Sequence, residues 1–233
     1  MDTPTSRKKV LPLSALLLLI VVAVTLMACT DSRLHRLGIF SLSGTVEKIS
    51  LLMTEKPQDD DPGLYLYRIP FTRPLVESYY IHVTGSERIS RAILAAADGH
   101  DIPLPLAFSL AWGESSYRVH AVNRNSGSVD RGLFQLNSRT FAFLTEDQLY
   151  SPEVNARYGL AHLRFCLDEG KSELVALAMY NAGTARVRRG TPYSTLNHVA
   201  RIMEYRQELE RSFEGMLADP GRIAAAMSRR SDS

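Results

Sequence analysis

Two carboxylic acids stand at either end of a short polar segment near the middle of this 233-residue chain. Glu114 comes near the end of an apolar stretch, Leu104 to Trp112, and Asp130 follows a polar, glycine-containing loop. Cleavage of a glycosidic bond needs an acid in an apolar setting, because such an acid stays protonated until it donates to the leaving oxygen. One Glu after an apolar run is also typical of a solvated helix end, so the surrounding residues must decide between the two interpretations.

Four short motifs accompany these acids. They are Glu114-Ser115 followed by Tyr117, the Gly-Leu-Phe-Gln segment 132–135, the spaced residues Asn155, Gly159 and Leu163, and the Ala-Met-Tyr-Asn-Ala-Gly segment 178–183. In this order and at this spacing, over roughly residues 85–212, they resemble the soluble-lytic-transglycosylase (SLT) type of domain in the lysozyme-like superfamily. The resemblance implies a mainly α, lysozyme-like domain with a small loop or hairpin beside the active-site cleft.

The same resemblance implies a reaction and its residues. Glu114 would act as general acid and then general base on the β-1,4 bond between N-acetylmuramic acid (MurNAc) and N-acetylglucosamine (GlcNAc). The product would be a 1,6-anhydro sugar, formed without a metal or an organic cofactor. Gln135 and Tyr180 would position the sugar, although a purely structural hydrogen-bonding role competes for Gln135. Asn181 would bind substrate or brace the turn after its helix, and Ser115 would serve as a helix-end hydrogen-bonding residue.

The chain departs from the family pattern at several motif positions. Phe134 replaces a Met, Asn123 stands where the family often has a Ser, Asn137-Ser138 replaces Met-Pro, and His198 replaces a Tyr, whereas the later Tyr205 is retained. Asn123 is therefore a candidate substrate-binding residue, and so is Asp130. His198 would either face the cleft or lie exposed on its helix.

Asp130 leaves a second reaction open. The segment 123–139 also resembles the active-site hairpin of animal-type lysozymes, in which the Asp is the second catalytic carboxylate, and secretion-associated transglycosylases share this kind of loop. A pair of carboxyls would suit hydrolysis instead, or Asp130 beside Arg131 would only pin the loop by hydrogen bonds. A non-catalytic glycan-binding lipoprotein is a third interpretation, which an intact Glu114 with Gln135 and Tyr180 disfavours.

The N-terminus predicts export to the cell envelope. Three basic residues at 7–9 precede an apolar run, Val10 to Ala28, that closes on a small residue, as in a secretory signal. Cys29 follows at once, which resembles a bacterial lipobox in which Cys29 would carry lipid and anchor the chain to a membrane. An uncleaved signal anchor is the alternative, since the run is nearly long enough to span a bilayer. Both interpretations place the rest of the chain outside the cytoplasmic membrane, facing the periplasm and its peptidoglycan.

Charge and cysteine content exclude other classes of function. Beyond residue 28 the chain carries 24 basic and 24 acidic residues, whereas a nucleic-acid-binding protein normally has a basic excess. Only Cys166 remains after Cys29, so no disulfide can form within the mature chain, and its helical surroundings predict a buried core thiol. No Cys/His cluster has the spacing of metal ligands.

We expect four regions along the chain. They are a signal peptide over 1–28, a tether or N-terminal arm over 29–77, the catalytic domain over 78–213 and a C-terminal tail, helical or frayed, over 214–233. Within the arm, the Pro- and acid-rich segment 56–63 predicts a linker or exposed turn. The segment 64–69 predicts a short strand or an extended arm packed on the domain.

Helical periodicity begins at Thr84. The pattern predicts a capping box at 84–87, an Asp101 cap on the helix that delivers Glu114, and helices over about 152–169, from Ser172 to 183, and over 194–213. Val154, Tyr158, Ala161 and Phe165 are predicted to share the core face of the helix over 152–169.

Overall fold

A computed structural model describes residues 42–58 and 61–228. The described residues from Ile49 onward form one compact unit, the second of two along the chain. The predicted signal peptide and Cys29 lie outside the described residues. No helix in the described ranges is long and apolar enough to cross a membrane.

The described residues form eleven helices and a small sheet of three strands, which confirms the mainly α fold. The helices are α1 (Leu42–Glu55), α2 (Pro62–Arg68), α3 (Arg73–Thr84), α4 (Glu87–Gly99), α5 (Leu104–Ser115), α6 (Glu146–Tyr150), α7 (Pro152–Gly170), α8 (Glu173–Ala182), α9 (Thr184–Arg189), α10 (Tyr193–Leu217) and α11 (Pro220–Ser228). The strands are β1 (Val122–Asn125), β2 (Ser128–Arg131) and β3 (Leu136–Asn137).

Helix α5 lies at the centre of the second unit. Every residue from Leu104 to Ala111 is buried, as expected for a helix that is apolar around its whole circumference. It packs along α10, while α4 packs against α7 and α7 against α8. Only the C-terminal end of α5 emerges from this core. The fold therefore places Glu114 at the end of a rigid helix.

The predicted loop beside the site is a hairpin extended by a third strand. β1 and β2 are antiparallel with Asn123 opposite Asp130, and β3 continues the sheet with Asn137 opposite Asp130 on its other side. A two-residue turn joins β1 to β2, and Gly127 within it has a φ of 81°. Such a turn favours glycine because it needs the left-handed backbone region.

The strand or extended arm predicted at 64–69 was wrong. Residues 64–68 belong to α2, which begins after Asp61, whose Oδ1 accepts hydrogen bonds from the backbone N–H groups of Leu64 (2.7 Å) and Leu104 (3.2 Å). Alternation of Leu and Tyr suggested a period of two, but the cap and Pro62 in the first turn start a helix instead. Burial raises the pKa of the Asp61 carboxyl, partly offset by these two hydrogen bonds.

The expected start of the domain at residue 78 falls inside α3. This helix buries Leu75 and Val76, and α2 buries Leu64 and Leu66. Residues 62–77 are therefore packed helices of the second unit rather than a tether, because their apolar side chains belong to its core.

Two predicted helix caps were also wrong. Ser86, not Thr84, caps α4 by accepting a hydrogen bond from the Ile89 N–H (3.4 Å), since Thr84 is still the last residue of α3. Asp101 has a φ of 51° and pairs with Arg68 (2.8 Å) instead of capping α5.

The face of α7 that is buried differs from the face that the sequence predicted. Phe165 is 50% exposed, and the buried face is formed by smaller or polar residues: Asn155, Ala156, Gly159, Leu160, Leu163 and Cys166. Asn155 and Gly159 of this face meet Phe134, while Cys166 packs with Ala176 and Met179 of α8.

The last helices extend further than predicted. α10 continues past residue 213 to Leu217, and α11 follows from Pro220. Ile223 of α11 is fully buried, and α11 packs against α3. Most of the expected tail is thus helical and attached to the second unit.

Candidate active site

Glu114 occupies the last turn of α5, where its carboxyl is largely shielded from water. Its side chain is 11% exposed. The helix ends one residue later, and Ser116 takes a left-handed conformation (φ 51°) whose N–H still bonds to the Trp112 carbonyl. The Ser115 hydroxyl donates to the Ala111 carbonyl (3.0 Å) and is buried. Ser115 therefore serves as the helix-end residue that the sequence predicted.

His198 meets Glu114 from α10. Its Nε2 lies 3.1 Å from Glu114 Oε1, and its side chain is 19% exposed. Two turns further along the same helix, Tyr205 stacks on Trp112 with 4.3 Å between ring centroids, and the Arg201 guanidinium lies 5.6 Å from the Trp112 ring centre. Of the two placements that the sequence left open for His198, the structure has the one that faces the candidate acid.

Asn155 holds the Gly-Leu-Phe-Gln loop in place. It is only 1% exposed. Its Oδ1 accepts from the Phe134 N–H (2.8 Å), and its Nδ2 donates to the carbonyls of Arg131 (3.0 Å) and Leu149 (2.7 Å). Sequence reasoning recognised Asn155 as a motif residue but assigned it no role. A buried amide with all its groups paired is a strong constraint on loop geometry.

Gln135 uses its amide N–H groups within the same loop. Its Nε2 donates to the carbonyls of Ala121 (3.1 Å) and Gly132 (3.0 Å), and its φ of 47° is held by these contacts. Both of these bonds go to the backbone, which matches the structural role that the sequence left open. The Oε1 atom of Gln135 takes part in neither of these two hydrogen bonds.

Tyr180 ties α8 to this loop. Its hydroxyl donates to the Phe134 carbonyl (2.8 Å). Burial, and secondarily the neighbouring carboxylates of Glu114 and Asp130, raises the pKa of the Tyr180 phenol well above its ordinary value. Tyr180 therefore remains a protonated donor at neutral pH.

Asp130 is held by three amides of the hairpin. It accepts hydrogen bonds from Nδ2 of Asn125 (2.6 Å), Asn137 (2.6 Å) and Asn123 (3.4 Å). The Arg131 side chain turns instead to Glu146 (3.3 Å). Asp130 thus pins the hairpin as one of the sequence-based interpretations expected, although its partners are asparagines across the sheet and not Arg131. The sheet register explains this, because Asn123 and Asn137 lie opposite Asp130 on either side.

Asn181 connects the end of α8 to the start of α10. Its Oδ1 accepts from the buried Thr195 hydroxyl (2.8 Å), and its side chain is otherwise exposed. The bracing role predicted as one alternative for Asn181 is therefore present in the structure.

A metal site and a reactive thiol are the other possibilities among the described residues. Within residues 42–58 and 61–228, no group of three His, Cys, Asp or Glu side chains could hold a metal ion. Cys166 is buried, as predicted, and burial raises the pKa of its thiol to about 11. A thiol with that pKa stays protonated at neutral pH and is a poor nucleophile.

Comparison with known proteins agrees with the geometry. Residues 91–195 match the family model described as the Transglycosylase SLT domain, inside the segment that carries the four motifs. No curated protein is a significant match to the chain. An SLT domain indicates peptidoglycan-lytic activity of the lytic-transglycosylase type and binding of a peptidoglycan substrate. Residues 91–195 of this chain are a transglycosylase SLT domain of the lysozyme-like superfamily.

Proposed function

We propose that this protein cleaves the MurNAc–GlcNAc β-1,4 bond of peptidoglycan and leaves a 1,6-anhydro-MurNAc end. The observation that supports it most is the placement of Glu114. Its carboxyl lies at the end of a rigid buried helix, where it is 11% exposed and contacts His198. A preorganised acid on a rigid element is what general acid–base catalysis requires.

In the proposed reaction, Glu114 transfers one proton in each direction. The protonated carboxyl donates to the glycosidic oxygen as the bond from that oxygen to C1 of MurNAc breaks. The resulting carboxylate then takes the proton from the MurNAc 6-hydroxyl as O6 bonds to C1. No water is consumed, and Glu114 returns to its protonated form.

Four further residues are proposed to contact the sugar. The Gln135 Oε1, the exposed part of Asn181 and the Asn123 amide can offer polar groups to a glycan, while Tyr180 is bound to the loop that carries Gln135. Their observed hydrogen bonds also brace the site, so each would act both on the fold and on the substrate.

The experiment that tests the reaction is mass spectrometry of the muropeptides released from purified peptidoglycan by the full chain. We expect ends that carry anhydro-MurNAc. Reducing ends, which are heavier by one water, would overturn the proposal in favour of a lysozyme-like hydrolase that uses Glu114 and Asp130. Glycan binding without any product would indicate a non-catalytic glycan-binding lipoprotein.

Asp130→Asn separates a bracing from a catalytic role for this carboxylate. Because three amides already occupy Asp130, we expect the variant to form anhydro product at a rate close to that of the unaltered protein. The lost charged acceptor should lower the free energy of unfolding by about 1 kcal/mol, which thermal unfolding would detect. A loss of activity greater than about 100-fold with an unchanged melting temperature would instead make Asp130 part of a catalytic pair.

We further propose that Cys29 carries lipid and holds the domain in the periplasm. The support is the sequence alone, in which a signal-like run ends directly before this cysteine. Radiolabelled palmitate fed to bacteria that express the full chain should label the protein, and Cys29→Ser should abolish the label, with Cys166 as an internal control. Equal labelling of both forms, or none of either, would contradict the lipid anchor.

A further inference from the structure

The contact between His198 and Glu114 involves only one of the two carboxyl oxygens. His198 Nε2 lies 3.1 Å from Oε1. No described residue forms a hydrogen bond to Oε2, and no buried side-chain nitrogen or oxygen within the described ranges lacks a partner. Since Oε2 has no partner among the described residues and no such atom is both buried and unpaired, Oε2 is the oxygen that reaches solvent.

The packing of α5 against α10 fixes this contact. His198, Ile202 and Tyr205 occupy successive turns on one face of α10, where residues three and four apart are neighbours. On α5, Glu114 faces His198, Gly113 faces Ile202 and Trp112 faces Tyr205. A Cβ atom at Gly113 would lie 2.5 Å from Ile202 Cγ1, so only glycine lets the two helices approach this closely. The Trp112–Tyr205 stack secures the next turn.

We infer that His198 is a positioning residue that directs the catalytic proton to Oε2. In this role the imidazole donates its Nε2–H to Oε1, which leaves Oε2 to carry the proton, face the solvent side and meet the glycosidic oxygen. After that proton leaves, the same Nε2–H stabilises the carboxylate until Oε2 takes the proton of the MurNAc 6-hydroxyl. This inference rests on the proposed function, since it assigns one residue more to the same reaction.

His198→Leu and His198→Gln test the inference as a pair. Leu fills the space without a donor, whereas the Gln side chain can offer an N–H to Oε1. We expect Leu to lower kcat by about 10- to 100-fold, the effect of one hydrogen bond to a charged group, with KM nearly unchanged. Gln should restore most of kcat. Asn197→Leu, the same kind of change at an exposed neighbour on α10, is the matched control and should behave like the unaltered protein.

The other outcomes have distinct meanings. A Leu variant with the kcat of the unaltered protein would overturn the inference alone, because the anhydro product would still form. A raised KM at constant kcat would assign His198 to substrate binding instead. If Gln fails to restore activity and both variants melt at a lower temperature, His198 is a packing residue and the inference is wrong. An unaltered protein that forms no anhydro product would overturn the proposed function, and with it this role for His198.

Discussion

Glu114→Gln is expected to abolish detectable release of anhydro-muropeptides. The substitution preserves shape and keeps an oxygen that can accept the His198 hydrogen bond, but an amide cannot donate or take up the proton. General acid–base transfer contributes about 100- to 10,000-fold in rate, so the initial rate of soluble muropeptide release should fall by at least about 100-fold. Mass spectrometry of the released fragments measures this directly.

The control is stability and glycan binding of the same variant. Because Gln fits the site, its melting temperature and its sedimentation with insoluble peptidoglycan should match those of the unaltered protein. A variant that keeps more than about a tenth of the activity would contradict the role of Glu114. Loss of binding together with activity would show that the substitution disturbs the site and would require Glu114→Asp as a second test.

Gly159→Ala is expected to destabilise the fold although alanine favours helices. A Cβ atom at position 159 would lie 2.4 Å from Phe134 Cβ and 2.5 Å from its Cγ, and Phe134 is fully buried. Overpacking of this kind costs typically about 1–3 kcal/mol, which for a chain of this size lowers the melting temperature by about 2–12 °C. Activity should fall as well, because Phe134 carries the carbonyl that Tyr180 binds and directly precedes Gln135.

Gly215→Ala is the matched control for that prediction. Gly215 also lies within a helix, α10, but a Cβ there would have no neighbour within 4 Å. The substitution should stabilise the protein by about 0.5–1 kcal/mol through helix propensity alone and leave activity unchanged. If both alanines shifted the melting temperature in the same direction, close packing of α7 on Phe134 would not be the cause of the glycine requirement.

The sequence was sufficient for the features that depend on local order. Glu114 at the end of an apolar helix, the polar hairpin with Asp130, and the capped helix from Ser172 follow from short-range patterns in which neighbours along the chain are neighbours in space. The four motifs identified the family for the same reason, since each is a compact string of residues at fixed spacing. Local patterns failed at 64–69, where alternating Leu and Tyr favoured a strand and the cap from Asp61 produced a helix.

Only the tertiary structure decided which distant groups meet. His198 is 84 positions away from Glu114 in the chain and contacts it because Gly113 lets α10 pack closely on α5. Asn155 reaches back to Phe134 from α7, and Phe165 lies on the exposed side of that helix because another set of its residues is packed inward. Such contacts depend on the relative placement of whole helices, which is set by the sum of many packing interactions and not by any one segment. The sequence by itself thus determined the candidate acid and the family of the domain that carries it. Tertiary packing decided which residue contacts that acid and which side chains brace its site.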